Sequence, residues 1–119
     1  MKFYGYKKCN TCRNAEKVLI ANGQSYEFFD ITIQPPSFSE LTQIFHDSGL
    51  DISKFLNTSG VEYRAQDFKT RVKTLSQEQI LKALSENGRL LKRPICVDQN
   101  RVSVGFKEDD FLSIWNSNA

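Results

Sequence analysis

Residues 2–19 read KFYGYKKCNTCRNAEKVL, and this stretch decides the fold. Residues 2–6 are short and rich in aromatic side chains, which predicts a buried strand. Two cysteines follow at the spacing Cys9-x-x-Cys12, between that strand and a run of apolar residues at helical spacing. The apolar residues of this predicted helix are Ala15, Val18 and Leu19. Residues 25–31 are again aromatic and β-branched, so the opening predicts a strand, a cysteine loop, a helix and a second strand.

Two capping-box signatures indicate helices in the middle of the chain. Ser37 is followed three residues later by Glu40, and Ser76 is followed in the same way by Gln79. Each pair precedes apolar residues at helical spacing, as a helix amino terminus requires. The polar and weakly periodic stretch between the two helices predicts short helices and loops.

The last third of the chain predicts a hairpin and a closing helix. Residues 95–97 and 101–105 have the composition of strands, and residues 98–100 between them form a turn. Acidic residues at 108–110 precede apolar residues at helical spacing, and negative charge in the first turn of a helix is favourable.

The assembled order is βαβ, a helical insertion, then ββα. This is the order of a thioredoxin-like α/β fold with a mixed four-stranded sheet and extra helices between its two halves. A chain of 119 residues suits one domain with one substantial core. We expect a single domain over residues 1–119, with the core in about residues 1–34 and 91–119 and the insertion in about residues 35–90.

Composition excludes several classes of protein. Sixteen basic and fourteen acidic residues leave a formal charge of +2, and no run of Lys and Arg exceeds two residues. That balance does not predict direct nucleic-acid binding. No apolar stretch is long enough to cross a bilayer, and the first residues do not form an apolar signal segment. We expect a cytoplasmic monomer that binds neither membrane nor nucleic acid directly.

The cysteine pair predicts thiol chemistry. Free backbone N–H groups and the helix dipole at a helix amino terminus stabilise a thiolate, which is the reactive form of cysteine. Lys7, Lys8 and Arg13 add positive charge to the same loop. Cys9 would be the attacking sulfur, and Cys12, one turn further along, would be the resolving sulfur that closes an internal disulfide.

Other interpretations of the cysteines are weaker. Three cysteines are an odd number, which argues against a closed disulfide framework, and Cys96 is interpreted as a small buried residue. A zinc site needs two more ligands, and only Cys96 and His46 remain, so no metal is expected. Two inert core thiols fit poorly in a lysine-flanked loop.

The dipeptide Arg93-Pro94 is the second candidate feature. It can be a loop that separates a helix from a strand, since the residue before proline disfavours helix. Alternatively, Pro94 is cis and faces the cysteine loop, as the cis-proline of thioredoxin-like folds does. Arg93 would then direct its guanidinium towards Cys9 and bind an oxyanion or stabilise the thiolate.

Three stretches together resemble the arsenate reductase (ArsC)/Spx family. They are YKKCNTCRNAEKVL at residues 6–19, LLKRPICVD at residues 90–98 and VSVGFKEDDF at residues 102–111. The similarity spans the whole chain in order and at matching spacing. The resemblance implies a thioredoxin-like fold with a helical insertion, in agreement with the element order.

The resemblance also implies site residues. In arsenate reductases of this family a cysteine at the position of Cys9 attacks arsenate, and three arginines hold the oxyanion. Arg93 matches one of them, whereas the positions near Asn57 and near Gly105 or Phe106 are not basic, so we expect inefficient arsenate reduction. Basic residues that would substitute only if the fold brought them close are Lys54, Arg64 and Lys107. Residues expected to contact substrate are Lys8, Asn10, Thr11, Arg13 and Pro94.

The second cysteine is similar to the Spx branch of the family. Its members carry a CxxC redox switch and bind the carboxyl-terminal domain of the RNA polymerase alpha subunit rather than reading DNA alone. A glutathione-dependent thiol reductase is a third activity within the family. Our first hypothesis is a thiol–disulfide oxidoreductase acting on a small thiol, an oxyanion or a redox partner protein. It would hold no bound cofactor and be reduced by glutathione or a thioredoxin or glutaredoxin system. The alternatives are a redox-sensing regulator and a member whose thiols do nothing.

Overall fold

The computed structural model describes residues 1–116 and contains one mixed sheet. Its strands are β1 (Lys2–Gly5), β2 (Glu27–Asp30), β3 (Ile95–Asp98) and β4 (Arg101–Val104). The order in space is β2-β1-β3-β4, with β1 parallel to β2 and both other pairs antiparallel. The predicted thioredoxin-like α/β fold with a mixed four-stranded sheet is confirmed.

Six α-helices and two short 3₁₀ helices complete the described part of the chain. The α-helices are α1 (Asn10–Ala21), α2 (Phe38–Ser48), α3 (Val61–Ala65), α4 (Phe68–Arg71), α5 (Gln77–Glu86) and α6 (Glu108–Trp115). The 3₁₀ helices are Ile52–Phe55 and Gly88–Leu90. The helices α2 to α5 lie between β2 and β3 along the chain, which confirms the helical insertion.

The sheet buries a different set of side chains on each face, because successive residues of a strand point to opposite sides. Phe3 and Cys96 are cross-strand partners on the face that α1 and α6 cover. Tyr4 and Ile95 are partners on the opposite face, where the helices of the insertion pack. Two hydrophobic cores therefore share one sheet, and the cysteine helix belongs to only one of them.

Both predicted capping boxes form. The Ser37 hydroxyl accepts from the Glu40 backbone N–H at 3.1 Å, and the Ser76 hydroxyl accepts from the Gln79 N–H at 3.1 Å. The side chains of Glu40 and Gln79 accept in return from the N-cap backbone. Helix α2 ends at Gly49, whose φ of 65° satisfies the left-handed geometry that glycine adopts readily.

The stretch between α2 and α5 consists of short helices and loops, as predicted. Its first part is tied to the segment that leads into β3 by two backbone hydrogen bonds. The Lys92 N–H donates to the Phe55 carbonyl and the Asn57 N–H donates to the Leu90 carbonyl, each at 2.8 Å. These bonds fix the insertion beside the loop that carries Arg93.

Strands β1, β2 and β4 each end one residue earlier than the sequence predicted, whereas β3 runs one residue further, to Asp98. Strand β4 stops at Val104 because Gly105 takes a φ of 78°, outside the extended region. Within residues 1–116, no helix has both the length and the hydropathy to span a membrane. Residues 117–119, the end of the predicted carboxyl-terminal core segment, lie outside the described residues.

The absence of a side chain at Gly88 allows the end of the helical insertion to pack directly against the backbone of Ile31, just after β2. A Cβ at Gly88 would lie 1.8 Å from the Ile31 carbonyl oxygen, so Gly88→Ala must displace backbone. We expect a loss of at least about 3 kcal/mol in the free energy of unfolding, measured by urea denaturation.

Gly49→Ala is the matched control. Gly49 has a positive φ but no neighbouring atom within 4 Å of the added methyl group. We expect a cost of only about 1 kcal/mol there, from the left-handed backbone alone. Equal losses for the two variants would contradict the close approach at Gly88.

Candidate functional site

Cys9 lies at the junction of β1 and α1, where it is the N-cap residue of the helix. Its backbone is extended, with φ −91° and ψ 119°, and its Sγ accepts from the Cys12 backbone N–H at 3.5 Å. A cysteine Sγ thus occupies the place that a serine or aspartate oxygen takes at other helix starts. Cys9 is half-buried, whereas its neighbours Asn10 and Thr11 are exposed.

The surroundings of Cys9 favour its thiolate. Burial of Cys9 raises its pKa, because a charged sulfur loses contact with water. The hydrogen bonds and the nearby positive charge lower it by more, so the pKa of Cys9 lies below its ordinary value. Those contributions are hydrogen bonds from the backbone of Cys12 and Thr11, a hydrogen bond with the Cys12 thiol, and the positive charge of Arg93. The helix start therefore stabilises the ionised sulfur.

Cys12 behaves in the opposite way. It is fully buried on the inner face of α1, and its Sγ lies over Gly5, where an added Cβ would be 3.2 Å from the sulfur. Burial raises the pKa of Cys12 to about 12, and the hydrogen bond and charge of Cys9 add to this effect. The pair consists of one accessible, acidic thiol and one buried, neutral thiol, and neither is in a disulfide.

Two of the basic residues of the loop bind other side chains of the protein. Lys7 donates to the Glu16 carboxylate at 3.0 Å and lies 4.0 Å from the centre of the Phe28 ring. Arg13 donates to the Asn10 side-chain oxygen. The cation whose charge favours both thiolates is Arg93 instead, although burial keeps the pKa of Cys12 raised. The side chain of Lys8 is exposed to solvent.

The Arg93-Pro94 peptide bond is cis, in agreement with the second of the two interpretations of this dipeptide. Pro94 is buried, and its carbonyl accepts from the Gly105 N–H at 2.8 Å. Arg93 is half-buried, and its guanidinium carbon lies 6.0 Å from the centre of the Tyr6 ring. No hydrogen bond or ion pair to the Arg93 side chain is formed within residues 1–116, so its donors can face a ligand.

The two positions where the family resemblance would place further oxyanion-binding arginines carry no charged side chain, and they contribute to backbone structure instead. Asn57 donates from its side-chain amide to the Arg89 carbonyl at 3.3 Å, and Gly105 turns the chain after β4. Arg64 donates to the Ser59 carbonyl at 3.2 Å within its own loop. Lys54 and Lys107 line one cavity beside β4, whose lining does not include Cys9 or Arg93.

Glu16 is a buried charge that the sequence analysis missed. It lies one turn after Cys12 with 9% of its surface exposed, and it accepts from the Tyr26 hydroxyl at 2.8 Å and from Lys7. Burial and the Glu16 carboxylate raise the pKa of Tyr26 to about 12. Glu16 lies four residues after Cys12, on the face of the helix that is buried, and this spacing could have predicted its burial. The sequence analysis considered only apolar residues at helical spacing, so it passed over this glutamate.

Cys96 lies in the same core as Cys12 and is fully buried. The Trp115 indole N–H donates to the Ser103 hydroxyl at 2.8 Å, and Ser103 in turn bonds to the Cys96 sulfur. Burial raises the pKa of Cys96 to about 12, so it is not a nucleophile near neutral pH. Among residues 1–116, no three His, Cys, Asp or Glu side chains are grouped to hold a metal ion.

The chain is similar to several known proteins. The model of the ArsC family matches residues 4–114. The chain is 44% identical over 115 residues to the uncharacterized protein YusI of Bacillus subtilis, a match that covers 97% of this chain and 98% of that protein. It is 30% identical over 102 residues to the global transcriptional regulator Spx of Streptococcus agalactiae, covering 86% of this chain and 73% of that protein.

A solved structure shows the same fold. The crystal structure of an ArsC family related protein from Bacteroides fragilis superposes with a TM-score of 0.90 at 36% identity, and the match covers 95% of each chain.

The pKa of Cys9 is directly testable. The rate of its alkylation by iodoacetamide should follow the thiolate fraction, with a midpoint below that of a free cysteine, because the lowered pKa keeps the sulfur ionised at lower pH. Arg93→Met should move this midpoint upward, since a stabilising cation is lost. Arg64→Met, whose guanidinium is bound to Ser59, is the control and should leave the midpoint in place. A wild-type midpoint at or above that of free cysteine would contradict this account.

Proposed function

Since the chain belongs to the ArsC family, we propose that it is a thiol–disulfide redox protein in which Cys9 attacks and Cys12 resolves. The observation that carries the proposal is the Cys9 sulfur at the N-cap of α1, with its pKa lowered and a buried thiol one turn away. Glutathione or a thioredoxin or glutaredoxin system would restore the dithiol.

In the first step the Cys9 thiolate attacks one sulfur of a substrate disulfide. A bond forms between Cys9 Sγ and that sulfur, the substrate S–S bond breaks, and the leaving thiolate takes a proton from solvent. The product is a mixed disulfide on Cys9. The exposed side chains of Lys8, Asn10 and Thr11 are the proposed contacts for the substrate on one side of the sulfur, with Arg13 beyond them.

In the second step the Cys12 sulfur loses its proton and attacks Cys9 Sγ, which releases the bound substrate sulfur as a thiolate and leaves a Cys9–Cys12 disulfide. The charge on Cys9 is one cause of the raised pKa of Cys12. Formation of the mixed disulfide consumes that charge, so it lowers the pKa of Cys12 at the stage where Cys12 must ionise. The order of the two steps follows from this coupling.

Arg93 is the proposed anion contact, with Pro94 beside it. Its charge lowers the pKa of Cys9, and its donors, which form no hydrogen bond with residues 1–116, can bind a carboxylate or an oxyanion on the substrate. One guanidinium replaces the three that hold arsenate in the family's arsenate reductases. We therefore propose a disulfide rather than arsenate as the principal substrate.

Substitution of the two thiols tests the mechanism. Cys9→Ser should lower turnover of a disulfide substrate by at least about a hundredfold, because a serine hydroxyl is not ionised near neutral pH. Cys12→Ser should accumulate the mixed disulfide on Cys9, seen as a mass increase equal to the substrate half.

Cys96→Ala is the control for these variants and should keep turnover close to that of the wild type, because Cys96 is buried and neutral. The mechanism fails if Cys9→Ser turns over as fast as the wild type.

A redox-sensing transcription regulator is the second candidate. It is favoured by the 30% identity to the regulator Spx over 102 residues. In this role oxidation of Cys9 and Cys12 would alter binding to the carboxyl-terminal domain of the RNA polymerase alpha subunit.

A pull-down with that domain separates the two candidates. A regulator should be retained to different extents in its reduced and oxidised states, and the double variant Cys9→Ser/Cys12→Ser should lose the difference. Absence of retention in both states would exclude this role.

A further inference from the structure

A cavity of about 630 Å³ lies beside β4, the edge strand of the sheet. Its walls come from the 3₁₀ helix Ile52–Phe55 and the residues after it, from β4, and from the turn that leads into α6. This volume lies within the range of small-molecule sites in proteins. Neither cysteine of the CxxC pair nor Arg93 lines the cavity, although Lys92 and Gly105 of its lining adjoin Arg93 and Pro94.

Three lysines surround the cavity. Lys54, Lys92 and Lys107 are all exposed, and none of them forms an ion pair with another of the described residues. Among the described residues, Asp110 is the single acidic side chain of the lining. The lining therefore carries a net positive charge, with Asp51 outside it close enough to Lys54 to interact with that lysine.

The fold brings these lysines together from three distant segments. The hydrogen bond from Lys92 N–H to the Phe55 carbonyl places Lys92 beside the residue that follows Lys54. The Lys92 side chain then crosses Gly105, where an added Cβ would lie 3.3 Å from Lys92 Cε. The missing side chain at Gly105 leaves room for the lysine on its way to the cavity.

The rest of the lining suits an organic ligand. Val102 and Val104 of β4, together with Leu56 and Phe106, supply apolar surface. Ser53 adds a hydroxyl group near Lys54. Charge at the rim and apolar side chains in the walls favour a ligand with an apolar body and anionic groups, rather than a bare inorganic ion.

We propose that this cavity binds a small organic anion that has an apolar body and at least two negative charges. Ammonium groups form charge-assisted hydrogen bonds equally well with carboxylates and phosphates, so both chemistries are covered. The lining includes none of the residues used in the thiol mechanism, and its ligand need not be a disulfide.

Calorimetric titration with three probes tests the proposal. Naphthalene dicarboxylate and naphthyl phosphate carry two negative charges on an apolar ring system, and naphthalene dicarboxamide has the same body without charge. At least one anion should bind, and the diamide should bind at least about tenfold more weakly. The anionic probe that binds more tightly shows whether the site prefers a carboxylate or a phosphate.

The triple variant Lys54→Gln/Lys92→Gln/Lys107→Gln should weaken binding of the anion by at least about tenfold. The matched control removes three other exposed lysines, in Lys17→Gln/Lys69→Gln/Lys82→Gln, and should bind as the wild type at the same net charge. The proposal is overturned if neither anion binds, if the diamide binds equally well, or if both triple variants lose binding alike. The titrations can be repeated on Cys9→Ser, so their outcome does not depend on thiol activity.

Discussion

The hydrogen bond between the Cys12 N–H and Cys9 Sγ at the start of α1 is the interaction on which the site depends. Strand β1 ends at Gly5 and the chain turns into α1 within a few residues, so the N-cap must lie above the end of the sheet. The cis peptide before β3 brings Arg93 to the same place from the neighbouring strand. Sheet order, helix start and proline loop thus converge on one sulfur. Burial of Cys12, together with the hydrogen bonds and positive charge around Cys9, makes the two cysteines of one short motif chemically unequal.

Features that depend on local sequence were predictable. Both capping boxes, the hairpin at Gln99 and the closing helix follow from residues within a few positions of one another. The sequence left two interpretations of Arg93-Pro94 open, and the cis peptide agrees with the second of them. Cys9 and Cys12 could be assigned to a strand–helix junction for the same reason, since the junction is encoded by the residues on either side of them.

Features that depend on tertiary packing were not predictable. Lys7 and Glu16 meet only after β1 and α1 fold together, and a count of loop cations could not reveal that this charge is already paired. Lys54 and Lys107 are about half the chain apart, and a backbone bond to Phe55 decides that Lys92 joins them. The sequence shows which residue types are present, whereas the packing of the insertion against the sheet determines which of them lie close together.

The division of the protein into two cores has a consequence for how such a scaffold can diversify. Phe3 and Tyr4 are neighbours in the chain, yet their rings belong to different layers that are separated by the sheet. Substitutions in layers that share no partners have effects on stability that add rather than interfere. Exposed positions of α2 and α5 can therefore change without altering the core that holds Cys12, whereas changes at Phe55 reach the Arg93 loop through its hydrogen bond to Lys92. Proteins with this two-core architecture can therefore bind different partners while the chemistry of the cysteine pair stays the same.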